Sequence, residues 1–120
     1  MDGLLASDDF VIAEWTAAGG NPQLQAPVHI HHEDDEAWYI LEGRLGFRLG
    51  AEEIEAGAGE AVCAHRGVAH TFWNPGEDPA RYLLVMTPRI NKLIEAIHAT
   101  DDRSAERMRA LFAEHASELL

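Results

Sequence analysis

Four side chains in this sequence have the types and spacing to hold a metal ion. His29 and His31 stand two apart in the short extended piece Val28-His29-Ile30-His31, and a β-strand projects residues i and i+2 to the same face. The polar turn His32-Glu33-Asp34-Asp35 resets the phase before Glu36 opens a new strand. If hairpin pairing brings that strand alongside, its carboxylate converges on both imidazoles. His70 follows the turn His65-Arg66-Gly67-Val68, again at a strand start. Three neutral imidazoles and one carboxylate suit a divalent transition metal, and iron, manganese, nickel, zinc and copper all stay open. Each imidazole keeps one N–H for an outer partner. Four protein ligands around a six-coordinate ion leave two neighbouring positions for water, substrate or dioxygen. A lone histidine on a strand is ordinarily a packed or surface residue, so the expectation rests on all four together.

The segments that must position these residues are short strands punctuated by Gly, Pro and Asn. Residues 10–15 open the series and Gly19-Gly20-Asn21-Pro22 breaks it. Residues 36–41 are rich in strand formers and end at Glu42-Gly43, a hairpin signal. Leu45, Phe47 and Leu49 then alternate with Gly46 and Arg48, the period of a half-buried strand. Gly57-Ala58-Gly59 marks a turn before residues 61–64, residues 71–73 stop at Asn74-Pro75-Gly76, and the apolar run 81–87 stops at Pro88. Regular turns between short strands predict a closed or nearly closed β-barrel over about residues 9–88. Beyond Pro88 the period changes: Ile90, Leu93, Ile94 and Ile97 share one face of a helix. Asp101 or Asp102 is placed to cap a second helix, whose apolar face holds Met108, Leu111, Phe112 and Leu119, with His115 beside them. The reading is one domain over residues 1–120, all-β, with two C-terminal helices at about 89–118 covering an edge or an end.

Trp38 and Ile40 share parity with Glu36, and Phe72 and Asn74 share parity with His70. A wall of Trp38, Ile40, Phe47 and Phe72 around a polar metal end makes a small pocket for an organic ligand; ordinary core packing accounts for these residues equally well.

The order of these residues resembles the cupin superfamily. Pro27-Val28-His29-Ile30-His31, four residues, Glu36, six residues and Gly43 are similar to its first motif. Gly59, five residues, His65-Arg66-Gly67, two residues, His70, three residues and Asn74 are similar to its second. Two positions depart from the pattern: His65 stands where the second motif usually has Pro, and Gln23 where fuller forms of the first have Gly. The resemblance implies a double-stranded β-helix, or jelly roll, with one divalent ion held by His29, His31, Glu36 and His70. It implies chemistry on a small organic molecule, first a quercetinase-like dioxygenase in which an enol or phenol oxygen meets the ion and Glu36, on partial dissociation, takes the proton. A metal-dependent isomerase, decarboxylase or lyase is the alternative, and a non-catalytic metabolite-binding cupin the third reading. Small cupins commonly pair, so a homodimer is expected, and a monomeric mass in light scattering at micromolar concentration would exclude it.

The remaining residues narrow the class. A formal charge of −12 argues against nucleic acid, whose backbone needs a basic footprint, and against anionic membrane surfaces. No apolar run approaches a membrane span, and the acidic N-terminal residues do not read as a signal peptide. The single Cys63 cannot form an internal disulfide and reads as a buried small hydrophobe with no activating base beside it. A cytoplasmic enzyme or binding domain with a small-molecule partner fits these bounds. His65 reads as a surface turn residue in preference to a proton-transfer group at the site mouth. His32 points away from His31, while His98 and His115 lie on helices without a ligand signal. Glu33-Asp34-Asp35 reads as a solvated turn, since it lacks the spacing and Gly of a calcium loop.

Overall fold

Burial alternates along the strands as the sequence pattern requires. In Ala80–Met86, residues 80, 82, 84 and 86 are buried and the residues between them are partly exposed. The computed structural model describes residues 2–20 and 23–120; Asn21 and Pro22, half of the expected strand break, lie outside the described residues. The chain runs β1 (Asp2–Ala6), β2 (Val11–Ala17), β3 (His29–His31), β4 (Glu36–Glu42), β5 (Arg44–Leu49), β6 (Glu52–Gly57), β7 (Ala61–Ala64), β8 (His70–Trp73) and β9 (Ala80–Met86). Two helices, α1 (Pro88–Ala99) and α2 (Ala105–Glu114), follow, and then a last strand, β10 (Ser117–Leu119).

The strands form two five-stranded antiparallel sheets, ordered β1-β2-β9-β4-β7 and β10-β3-β8-β5-β6. Their facing sides make the core. Trp38 and Tyr82 come from the first sheet, Phe47 and Phe72 from the second, and their ring centroids lie 5.2–6.1 Å apart at Trp38–Phe47, Trp38–Phe72, Phe47–Phe72 and Phe72–Tyr82. Offset and edge-on aromatic contacts of this kind add to the area they bury.

Glu42-Gly43 is not a hairpin turn. β4 and β5 lie in opposite sheets, and Gly43 alone carries the chain across. One residue is too short for a hairpin loop, and Gly43 sits at φ 80°, a left-handed conformation that glycine adopts without penalty. A Cβ there would also stand 3.0 Å from backbone atoms of Pro79 and Ala80.

Three strands escape the periodicity. β6 is Glu52-Glu53-Ile54-Glu55-Ala56-Gly57, mostly exposed at the sheet edge, and pairs with β5 through a two-residue turn at Gly50-Ala51. β1 is an edge strand of the other sheet, carrying exposed Leu4 and Leu5 and pairing with β2. β10 replaces the expected end of the second helix. That helix stops at Glu114 rather than near residue 118, Ala116 turns the chain at φ 54°, and Ser117–Leu119 pairs with His29–His31. The helix caps also differ from expectation. Ser104, not Asp101 or Asp102, accepts from the Arg107 N–H at 3.1 Å, while Asp102 Oδ1 accepts from the Ser104 N–H at 3.0 Å. α1 begins where Thr87 Oγ1 accepts from the Ile90 N–H, with Pro88 in the first turn.

Candidate metal centre and its cavity

Antiparallel pairing of β3 with β8 sets His29 directly opposite His70. His31 points to the same side two residues on, and the rings of His29–His31, His29–His70 and His31–His70 lie 4.7, 4.3 and 5.3 Å apart. Glu36 reaches them by another route than hairpin pairing. β4 belongs to the facing sheet, so the carboxylate approaches across the core, with Oε1 3.1 Å from His70 Nε2 and 3.5 Å from His31 Nε2. All four residues are buried, and one ligand atom from each lies within 4.8 Å of the others. Bonds of about 2.1 Å to a common ion would put ligand atoms at most about 4.2 Å apart. A contraction of up to about 0.6 Å therefore brings the widest-spaced pair to the limit of coordination distance.

The outer nitrogens decide what the inner ones offer. His29 Nδ1 lies 2.6 Å from the Pro27 carbonyl and His70 Nδ1 lies 3.0 Å from the Val68 carbonyl. A carbonyl only accepts, so both Nδ1 atoms carry protons. His31 Nδ1 lies 2.6 Å from Ser117 Oγ, which donates its own proton to the His115 carbonyl at 3.0 Å, so this Nδ1 also donates. Neutral imidazoles then present three Nε2 lone pairs to one carboxylate. Only a positive charge among them satisfies that arrangement, either an extra proton or a cation. Ser117 belongs to β10 and is a site residue that the sequence reading missed.

Burial, reinforced by the neighbouring His70, lowers the His29 pKa to about 4, which keeps the ring neutral and able to ligate. Burial pushes the Glu36 carboxyl upward, but the adjoining His31 and His70 rings, which donate to it when they carry the extra proton, outweigh burial and hold the pKa at about 2. Both shifts have the same sign for stability. Between pH 6.5 and about 4 the unfolded chain protonates His29 while the folded chain resists, and from pH 4.5 to about 2 the same holds for Glu36. Metal-free protein should thus lose stability as pH falls from 6.5, with about 3 kcal/mol at stake for His29 alone. Chemical denaturation at stepped pH checks this; constant stability from pH 6.5 to 4 would contradict it.

Beside the quartet lies a cavity of about 220 Å³. His29, His31 and Glu36 form its polar end, and Trp15, Phe72, Tyr82, Ile94, Ile97 and Phe112 are among its apolar walls. The two helices thus close one side of the site, and Phe112 meets His29 edge-on at 5.6 Å.

A family model described as "Cupin domain" matches residues 21–86. The chain belongs to the cupin family. This cupin is 35% identical over 60 residues to the tetracenomycin polyketide synthase protein TcmJ of Streptomyces glaucescens, a match covering 50% of this chain and 40% of that protein. The chain therefore spans less than half the length of that curated relative. Among solved structures it is similar to the protein TT1209 from Thermus thermophilus, with a TM-score of 0.64 and 30% identity over 72% of this chain and 80% of that one. It is also similar to a sugar phosphate isomerase of the cupin superfamily from Silicibacter pomeroyi, with a TM-score of 0.58 and 25% identity over 66% of this chain and 50% of that one.

Within this cupin the predicted wall divides. Phe72 lines the cavity, whereas Trp38, Ile40 and Phe47 are fully buried between the sheets, and the cavity walls come instead from β2, β9 and the helices. Parity assigned the correct face of each strand but not the depth along it. Asp34 is buried, not solvated, with Oδ2 3.7 Å from Arg89 Nε, while Asp35 pairs with Arg66. Cys63 is half-buried and does have a base beside it, His65 Nδ1 at 3.9 Å, yet burial raises its pKa, the opposite of activation. His65 itself is exposed in its turn and does not line the cavity, and His32 is exposed beside Glu118 at 3.3 Å. Gln23 is exposed in the segment before β3. His98, read as carrying no signal, stands on the cavity wall edge-on to Trp15 at 5.8 Å. No described helix is long and apolar enough to cross a membrane.

Proposed function

We propose that this cupin holds one divalent transition metal through His29, His31, Glu36 and His70 and acts on a small organic molecule bound in the adjoining cavity. The observation that carries the reading is the commitment of all three Nδ1 protons to fixed acceptors, which leaves three lone pairs and a carboxylate aimed at one point. When bound, such an ion supplies Lewis-acid activation of a substrate oxygen and, if redox-active, dioxygen chemistry.

The chain's own residues do the rest. Pro27, Val68 and Ser117 fix the three imidazoles in orientation. Burial and the Ile90, Ile94 and Phe112 side chains exclude water from the polar end, which strengthens electrostatic interactions there. Glu36 is held ionised at one side of the cavity and is the group placed to take a proton from a bound enol or phenol. With its basicity depressed in the resting site, it gains that role only as it leaves its histidine partners.

A quercetinase-like dioxygenase is one form of this proposal, and an isomerase, decarboxylase or lyase is the other. The isomerase likeness favours the second, although that match spans half of the isomerase. Metal analysis of freshly purified protein, followed by turnover assays of small enols and phenols under air and under strict anaerobiosis, tests both. About one first-row metal per chain is expected, and turnover that survives anaerobiosis selects the Lewis-acid form. Protein that neither arrives with metal nor takes it up on reconstitution would end the proposal.

A further inference from the structure

The cavity contains two hydrogen-bond donors that the metal centre does not use. Trp15 lines the cavity, and its indole Nε1 is fully buried with no partner among the described residues. Tyr82, whose phenol hydroxyl can donate, also lines it. The two are cross-strand partners, Trp15 on β2 and Tyr82 on β9, and both side chains reach the cavity from the inner face of the sheet. A buried donor without an acceptor costs about 1–3 kcal/mol. A folded chain keeps one readily where a ligand supplies the acceptor.

The rest of the lining restricts that ligand. No Lys or Arg is among the described residues that line the cavity, so away from the quartet a charged group of a ligand finds no cationic Lys or Arg partner. The walls are aromatic and aliphatic. A dry apolar cavity of about 150 Å³ accepts a benzene ring, so 220 Å³ suits a molecule of one or two rings.

Building on the metal-centre reading, we propose that Trp15 is a specificity-determining residue. It donates its indole N–H to an uncharged oxygen of a one- or two-ring ligand whose other oxygen faces the quartet. Tyr82 donates to the same ligand between its two oxygens. His98, edge-on to the indole, holds Trp15 in place. The ligand class is therefore a one- or two-ring compound with one oxygen facing the quartet and a second, uncharged oxygen away from it.

The test uses 1,5-dihydroxynaphthalene and 1-naphthol as probes, titrated calorimetrically into zinc-loaded wild type and Trp15→Phe. The dihydroxy probe should bind wild type about tenfold more tightly than 1-naphthol. Trp15→Phe should weaken the dihydroxy probe by about tenfold, the worth of one hydrogen bond in a buried site, and leave 1-naphthol within twofold. Equal losses for both alcohols would show a merely structural role and overturn the proposal. So would no loss for either, or failure of both to bind. Repeating the titrations on chelator-treated protein separates this inference from the metal reading. Discrimination by Trp15 that persists with equal affinity after metal removal would sink the metal's part in binding and leave the Trp15 assignment standing.

Discussion

Replacing His70 with Ala should abolish stoichiometric metal binding while leaving the fold intact. His70 is the only quartet member on β8, and it lies both opposite His29 in the strand pair and 3.1 Å from Glu36 across the core. Without it, two imidazoles and one carboxylate remain, and the Val68 carbonyl loses its partner. Wild type dialysed against excess zinc should retain about one ion per chain, and the variant less than about a tenth of that. Stability carries the same signature. An ion present at 1,000 times its dissociation constant stabilises the folded state by about 4 kcal/mol, so chelation should lower the wild-type Tm by roughly 12–20 °C for a domain of this size. The variant's Tm should not respond to chelator. Equal metal content, or equal chelator response, would remove His70 from the site.

A second large effect separates core from cavity. Phe47 is fully buried between Trp38 and Phe72 and does not line the cavity. Phe47→Ala should destabilise the protein by about 3–5 kcal/mol through lost burial and the hole left behind, a fall in Tm of about 10–20 °C. Metal stoichiometry should stay near one, because the ring contacts of Phe47 are with Trp38 and Phe72 and not with a quartet histidine. Phe72→Ala should behave differently, since Phe72 is shared by the core and the cavity wall: both stability and affinity for a ring-shaped probe should drop. Urea denaturation and calorimetric titration on the two variants read these outcomes. A Phe47→Ala protein that loses ligand affinity while keeping its stability would restore Phe47 to the pocket wall.

Part of the quartet is legible locally, since strand parity places His29 with His31 and turn residues announce the starts at Glu36 and His70; that the four converge is what the resemblance to the two cupin motifs implies. What parity could not give was the partner strand. Glu36 comes from the facing sheet, and the signal read as a hairpin at Gly43 is a crossing between sheets, a distinction that depends on which edges are free and so on the whole topology. Ser117 stayed hidden for a related reason. Leu111, Phe112 and Leu119 continue a helical period, and a three-residue strand carries too little pattern to interrupt it; β10 exists because β3 offers an open edge. β6 was missed because its residues are charged and exposed, so only pairing with β5 defines it. Trp38 and Phe72 share the inward orientation yet only Phe72 meets the cavity, since depth within the barrel is set by the packed helices. His98 and Trp15 gained their meaning from that same packing.

The most direct test of the metal centre is the anomalous diffraction signal from crystals of protein loaded with zinc, measured on both sides of the zinc absorption edge. The expected result is one strong peak per chain, about 2.0–2.2 Å from the Nε2 atoms of His29, His31 and His70 and from a Glu36 oxygen. A peak elsewhere, or crystals soaked in millimolar zinc whose four side chains enclose only water, would contradict it.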